Sequence, residues 1–312
     1  MSAARYLVAD VGGTHTRVSL TLGTLLLENT IKKFQNSTAD SLEIILSQYL
    51  TLQSNPYIDG ICVAVAGPVA QDSVELTNIS WTIDLDQLKK VSQAPITALL
   101  NDLQAQGYAL SSLDDAHIEH LFGQKATNRD KRMLVCGIGT GFNIAQFVPT
   151  PYGSVVPPAE AGHARIPVRT ERERWIVDQI TADKGFASVE QILSGRGLAL
   201  LNRYICPEVP RTPQEVIRDA KNDPKAEDVI NCMLGFAGSI FGDLALTTLP
   251  FGGIYLIGGV SRAIAPFIRY ENYGVAFCDK GRFSDFNQQF ATQIVIDDFA
   301  ALKGCANYLA QG

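Results

Sequence analysis

Two segments of this chain follow one plan: RYLVADVGGTHTRVSLTLG from Arg5 and KRMLVCGIGTGFNIAQFV from Lys131 each set an apolar strand, a glycine turn and an alternating strand in a row. A glycine-turned hairpin at the head of each half constrains the chain to two α/β lobes of similar design, the layout of a duplicated nucleotide clamp. Length agrees, because 312 residues exceed one comfortable core and suffice for two. A composition of 46% apolar and 19% charged residues supplies those cores and argues against disorder.

Between the hairpins, a third strand is predicted near LLLENTIKKF, a helix over Ser37–Leu52, a buried strand over Gly60–Ala66, a helix over Asp84–Val91 and a strand over Ile96–Leu100. Past the second hairpin, helices are predicted over Glu171–Ala182, Ser188–Tyr204, Thr212–Asn222 and Ala226–Leu249. The strand GGIYLIGGV, a strand over Thr292–Ile296 and a helix over Ala300–Leu309 close the chain. The expected domains are a small α/β domain over residues 1–110, with the C-terminal helix of residues 298–312 packing back on it, and a large α/β domain over 111–297.

With 32 acidic against 26 basic residues the net charge is −6, and no Lys/Arg run could track a phosphate backbone, so nucleic acid is not an expected partner. The opening MSAARYLVADVGGT interrupts any signal-like apolar stretch, and no later run reaches the roughly 18 consecutive apolar residues of a membrane span. A cytoplasmic protein with no membrane partner is expected. Six cysteines without a CxxC pair, most in apolar runs such as ICVAVAG, read as buried thiols.

Asp10, Gly12, Gly13 and Thr14 place a carboxylate at a strand end beside a turn whose backbone N–H groups can approach an anion closely. Alone, that turn is equally a tight hairpin with a solvated aspartate, and the same ambiguity attends Gly139, Thr140 and Gly141. Two such turns, with Gly252-Gly253 and Gly258-Gly259 flanking a further strand, favour a nucleotide. Neither GxxxxGK[ST] nor GxGxxG occurs, so the nucleotide fold is neither a P-loop nor a dinucleotide fold.

The ordered series DVGGTHTR, GPV, LTNISW, ND, GTGF, EAGH, VEQILSGRG, GGIYLIGGV and CDKGRFSDF resembles the motifs of bacterial glucokinases, of the hexokinase, actin and Hsp70 superfamily, from residue 8 to about 310. The resemblance implies two α/β lobes of ribonuclease H-like, actin-like topology with sugar in the cleft between them. It implies ATP held mainly by the larger lobe, magnesium, a glycolytic role and a homodimer. Position by position, Asp102 resembles the base that takes the proton from the sugar O6, beyond the carboxyl end of a buried strand. An Asn-Asp helix cap is the alternative for the same two residues. Asn101, Glu160, His163 and Glu190 resemble the sugar-hydroxyl ligands, and so do Gly67 and Asn78, for which turn residues in a wall of the cleft are an equal alternative. Asp10 would hold magnesium, directly or through water. The turns at Gly12, Gly13 and Thr14, at Gly139, Thr140 and Gly141, and at Gly258 and Gly259 would hold phosphates.

Three positions depart from the family pattern. His15 stands where Asn is common and Asn143 where Gly is common, which would put both side chains near the ATP phosphates, while Arg196 replaces a frequent Pro. Three other readings are a kinase of fructose, mannose or an amino sugar, a non-catalytic sugar sensor, and an actin-type ATPase. ARIPVRTERER follows His163, so the cysteine-rich zinc motif of the related repressor and sugar-kinase family is not supported.

Overall fold

Parallel strands buried on both faces need continuous apolar runs, and GICVAV supplies one, with every residue of the strand Gly60–Val65 buried. A computed structural model of the chain describes residues 3–67, 69, 72–76, 79–126 and 128–312. They divide into two units, Met1–Leu113 with Pro149–Pro157 and Asp297–Gly312, and Asp114–Val148 with Pro158–Ile296.

In the first unit β1 (Arg5–Val11) pairs antiparallel with β2 (His15–Leu22), which carries β3 (Leu25–Leu26) and β4 (Lys32–Gln35) on its other side. The third strand predicted from LLLENTIKKF is thus two short ones, split by the turn Glu28–Thr30. Parallel pairing then joins β1 to β5 (Gly60–Val65). A ribbon of β6 (Ser73–Glu75) and β7 (Thr82–Asp84) stands apart, and β8 (Ile96–Asn101) pairs parallel with β5. This register sets Asp10 opposite Ala64 and Val65 opposite Asn101, so the carboxyl ends of β1, β5 and β8 lie along one edge.

Helices α1 (Leu42–Leu52), α2 (Leu85–Ser92) and α3 (Asp102–Ala109) follow β4, β7 and β8. The helix predicted from Ser37 begins only at Leu42, because Asn36–Thr38 forms a separate turn anchored by the buried Asn36. The C-terminal helix Ala300–Leu309 packs on α3 so closely that a Cβ on Gly304 would lie 1.7 Å from the Ala105 carbonyl oxygen. Asn307 reinforces that contact by donating to the Tyr108 carbonyl at 2.8 Å and to Ser112 Oγ at 2.7 Å.

The second unit repeats the plan in another six-stranded sheet, with an antiparallel strand at its far edge. Its sheet contains β9 (Ile118–Phe122), β10 (Met133–Ile138) and β11 (Phe142–Thr150), whose last residues turn into β12 (Gly153–Val155) and belong to the first unit. Completing it, β13 (Ile254–Ile257) and β14 (Thr292–Val295) give the order β12-β11-β10-β13-β14-β9. β10 and β11 form the antiparallel hairpin, while β10, β13 and β14 run parallel. Around them lie α4 (Glu171–Lys184), α5 (Gly195–Ile205), α6 (Pro213–Asp219), α7 (Pro224–Thr248) and α8 (Gly259–Ile264).

The continuous helix predicted over Ser188–Tyr204 does not form. Ser194 instead caps α5, its Oγ accepting from Gly197 N at 3.0 Å, so Val189–Gln191 is left as a lone turn. Among the described residues, α7 is the helix long and apolar enough to cross a membrane, yet 72% of its apolar window is buried inside the protein. It is the core helix of this unit, with Phe236 and Phe241 fully enclosed.

Candidate active site

The carboxyl edge of the first sheet gathers Asp10, the Gly12–Thr14 turn, Gly67, Asn101 and Asp102. Asn78 falls outside the described residues. Asn101 is the N-cap of α3: its Oδ1 accepts from Leu103 N at 2.9 Å, and Gln104 Oε1 reaches back to Asn101 N at 3.1 Å. Its amide also donates to the Gly67 carbonyl at 2.9 Å, tying the end of β8 to the loop after β5. One oxygen lone pair of Asn101 remains for a ligand, while its amide also hydrogen-bonds the Asp102 carboxylate.

Capping fixes Asp102 as the first residue of α3, where its Oδ1 accepts from Leu103 N at 2.8 Å. Burial pushes the Asp102 carboxyl up from 3.8 to about 6; the Leu103 N–H opposes that rise and the neighbouring Asp10 charge adds to it. Burial also raises Asp10, against the attraction and hydrogen bond of Arg17, whose Nη1 lies 3.3 Å from Asp10 Oδ2. A carboxylate deprived of water gains from a nearby cation, so Asp10 fits a role beside magnesium. Among the described residues no group of three or more His, Cys, Asp or Glu could hold a metal ion, so phosphate and water would supply most ligands of such an ion.

The Gly12–Thr14 turn is closed by Gly12 N donating to the His15 carbonyl at 3.0 Å. Asn36 holds it from below, its amide donating to the Gly12 carbonyl at 2.7 Å while its Oδ1 accepts from Thr16 Oγ1 at 2.8 Å. Gly13 and Thr14 are exposed. Nothing in the local pattern marks Asn36, because its partner turn is more than twenty residues away and only strand pairing joins them.

In the second unit, Gly139, Thr140 and Gly141 connect β10 to β11, and two helix starts seat on this turn. Gly195 N, opening α5, donates to the Gly139 carbonyl at 2.8 Å. Gly258, with φ of +96°, caps α8 so near β10 that a Cβ would lie 2.5 Å from the Ile138 carbonyl oxygen. Gly139 and Gly259 themselves face open space. Three chain turns with accessible backbone thus meet beyond the carboxyl ends of β10 and β13, a setting suited to an anion.

Glu160, His163 and Glu190 share the neighbourhood of that turn. The single turn Ala161–His163 brings His163 Nε2 to 3.9 Å from Glu160 Oε2, both side chains being exposed. Val189 N donates to the Ala164 carbonyl at 2.9 Å, and Gly162 is pressed to within 3.5 Å, at its Cβ position, of Glu190 Cβ. Glu190 Oε2 accepts from Phe142 N at 3.2 Å and would meet a Cβ on Gly141 at 2.4 Å. Its Oε1 accepts from Arg196 Nη2 at 2.9 Å, a pairing that only the break before α5 permits.

The Asn143 side chain donates to the Ala159 carbonyl at 2.5 Å and accepts from Ala161 N at 3.0 Å, so these bonds grip the segment bearing Glu160. β11 geometry explains this, since Asn143 pairs with Gly137 inside the ladder and lies beyond the glycine turn. All six cysteines are free thiols, and burial pushes Cys232 up to about 12.

Comparison with known proteins places these features in context. A family model described as Glucokinase matches residues 7–312. The chain is 31% identical to the glucokinase of Erwinia tasmaniensis, the match covering 98% of this chain and 97% of that one. A glucokinase structure from an Antarctic psychrotroph superposes with a TM-score of 0.89 at 25% identity, over 99% of both chains. The glucokinase of Balamuthia mandrillaris, solved in complex with glucose, gives 0.78 at 20% identity over 99% of this chain and 94% of that one. The mixed α/β architecture is therefore the actin-like ATPase fold. Its matched motifs, its sheets and its carboxylate-bearing strand ends make this chain a member of the glucokinase family.

Proposed function

We propose that the chain transfers the γ-phosphoryl group of ATP to O6 of glucose, yielding glucose 6-phosphate and ADP. The observation that carries this reading is Asp102, a carboxylate locked at the start of α3 whose pKa of about 6 leaves it ionised at neutral pH yet basic enough to accept a hydroxyl proton. Asp102 takes the O6 proton as the O6–phosphorus bond forms and the bond to ADP breaks in line. Asn101, Glu160, His163 and Glu190 receive the remaining hydroxyls, each with acceptor or donor capacity still open. The Gly12–Thr14, Gly139–Gly141 and Gly258–Gly259 turns present backbone N–H groups to the phosphates. Magnesium, when bound beside Asp10, supplies charge neutralisation for the nucleotide. Family membership supports glucose as the sugar; a cytoplasmic setting and a homodimer belong to the same proposal.

A coupled assay of ADP release with ATP, magnesium and a panel of glucose, mannose, fructose, glucosamine and N-acetylated sugars tests it. Clear preference for glucose is expected. Stimulation by another hexose alone would move the substrate assignment, and turnover unaffected by every sugar would overturn the kinase reading.

A further inference from the structure

Arg196 is costly to the helix that bears it. It stands second in α5, just after the Ser194 cap, where the helix dipole disfavours a cation. Its ion pair with Glu190 is open to solvent, the Arg196 side chain being 73% exposed, and such pairs return little stability. What the pair does is local. Glu190 is held at both oxygens, by Phe142 N on Oε2 at 3.2 Å and Arg196 Nη2 on Oε1 at 2.9 Å. A carboxylate fixed at both oxygens keeps one lone pair on each in a set direction, so hydroxyls that bind there lose less freedom. Glu190 Oε2 also lies against Gly141, in the turn assigned to phosphates, where an unpaired negative charge would repel the nucleotide.

Resting on Glu190 as a sugar ligand, we infer that Arg196 is a positioning residue which aims the Glu190 carboxylate at the sugar. Glucose affinity, measured by calorimetry on the full chain without ATP, reads this out in wild type, Arg196→Ala, Arg196→Lys, Glu190→Gln and the Glu190→Gln/Arg196→Ala double variant. Arg196→Ala weakens glucose about 3- to 20-fold, Arg196→Lys recovers part of the loss, and within Glu190→Gln the arginine change matters less than about twofold. In steady-state assays the same variant raises the glucose KM more than it lowers kcat. If Glu190→Gln weakens glucose but Arg196→Ala does not, or if Arg196→Ala weakens it equally in both backgrounds, the inference fails and Glu190 keeps its role. If Glu190→Gln binds glucose as wild type does, the ligand assignment itself fails. Should Arg196→Ala not fold, Arg196→Lys and Arg196→Gln carry the same comparison.

Discussion

Replacing Asp102 by Asn should trade activity for stability, in a way that pH exposes. Burial, aided by Asp10, lifts the carboxyl from 3.8 to about 6. At about 1.36 kcal/mol per pH unit, keeping Asp102 ionised costs the folded protein up to about 3 kcal/mol. Solvent reaches part of the side chain, so the expected gain in Asp102→Asn at neutral pH is about 1–2 kcal/mol, or a rise of about 2–6 °C in melting temperature. The sign is specific. A carboxyl raised on folding contributes its stability when protonated, fully below 3.8 and lost as pH climbs through about 6. The variant's advantage should therefore be present at pH 7.5 and shrink as pH falls below about 6. Asn can still accept from Leu103 N, so the α3 start survives. Turnover should drop about 10²- to 10⁴-fold, as expected for loss of a general base, and wild-type kcat/KM should fall below pH of about 6. Melting curves at pH 5 and 7.5 with parallel rate measurements decide it. Near-normal turnover would refute Asp102 as the base, and a melting difference independent of pH would refute the raised carboxyl.

Gly141→Ala would drive a methyl into Glu190 Oε2, whereas Gly139→Ala meets nothing within 4 Å. The first should raise the glucose KM at least about tenfold and the second should act on the ATP KM with glucose spared, as two-substrate initial rates would show. Asn143→Ala frees the Ala159–Ala161 segment and should raise the glucose KM by about 3- to 30-fold with the ATP KM little changed; the opposite pattern would assign Asn143 to the phosphates. Gly304→Ala forces the C-terminal helix away from the Ala105 carbonyl and should destabilise the chain by about 2–4 kcal/mol in urea unfolding, with an unchanged midpoint refuting the close contact.

Local chemistry was readable wherever one short segment carries the whole signal. The two glycine-turned hairpins, the buried GICVAV strand and the C-terminal helix all rest on periodicity and turn residues within about a dozen positions. The ND pair is a case where two readings coexist, since Asn101 caps α3 and by capping it fixes Asp102. Glu160, His163 and Glu190 carry no local pattern that marks them, and they were legible only through the ordered motif series. The helix predicted over Ser188–Tyr204 failed because apolar spacing continues through Ser194, while the Ser194 hydroxyl restarts the helix at Gly195.

By itself, then, the order of residues determined the hairpins, most of the strands and helices and the repeated plan of the two sheets, because strand period, glycine turns and caps act between near neighbours. The clamp of Asn36 on Gly12, the grip of Asn143 on Ala159 and Ala161, the pairing of Arg196 with Glu190 and the lifted carboxyl of Asp102 were decided only by tertiary structure. Each depends on a distance between groups on different elements or on exclusion of water, and neither exists until the sheets and helices have packed.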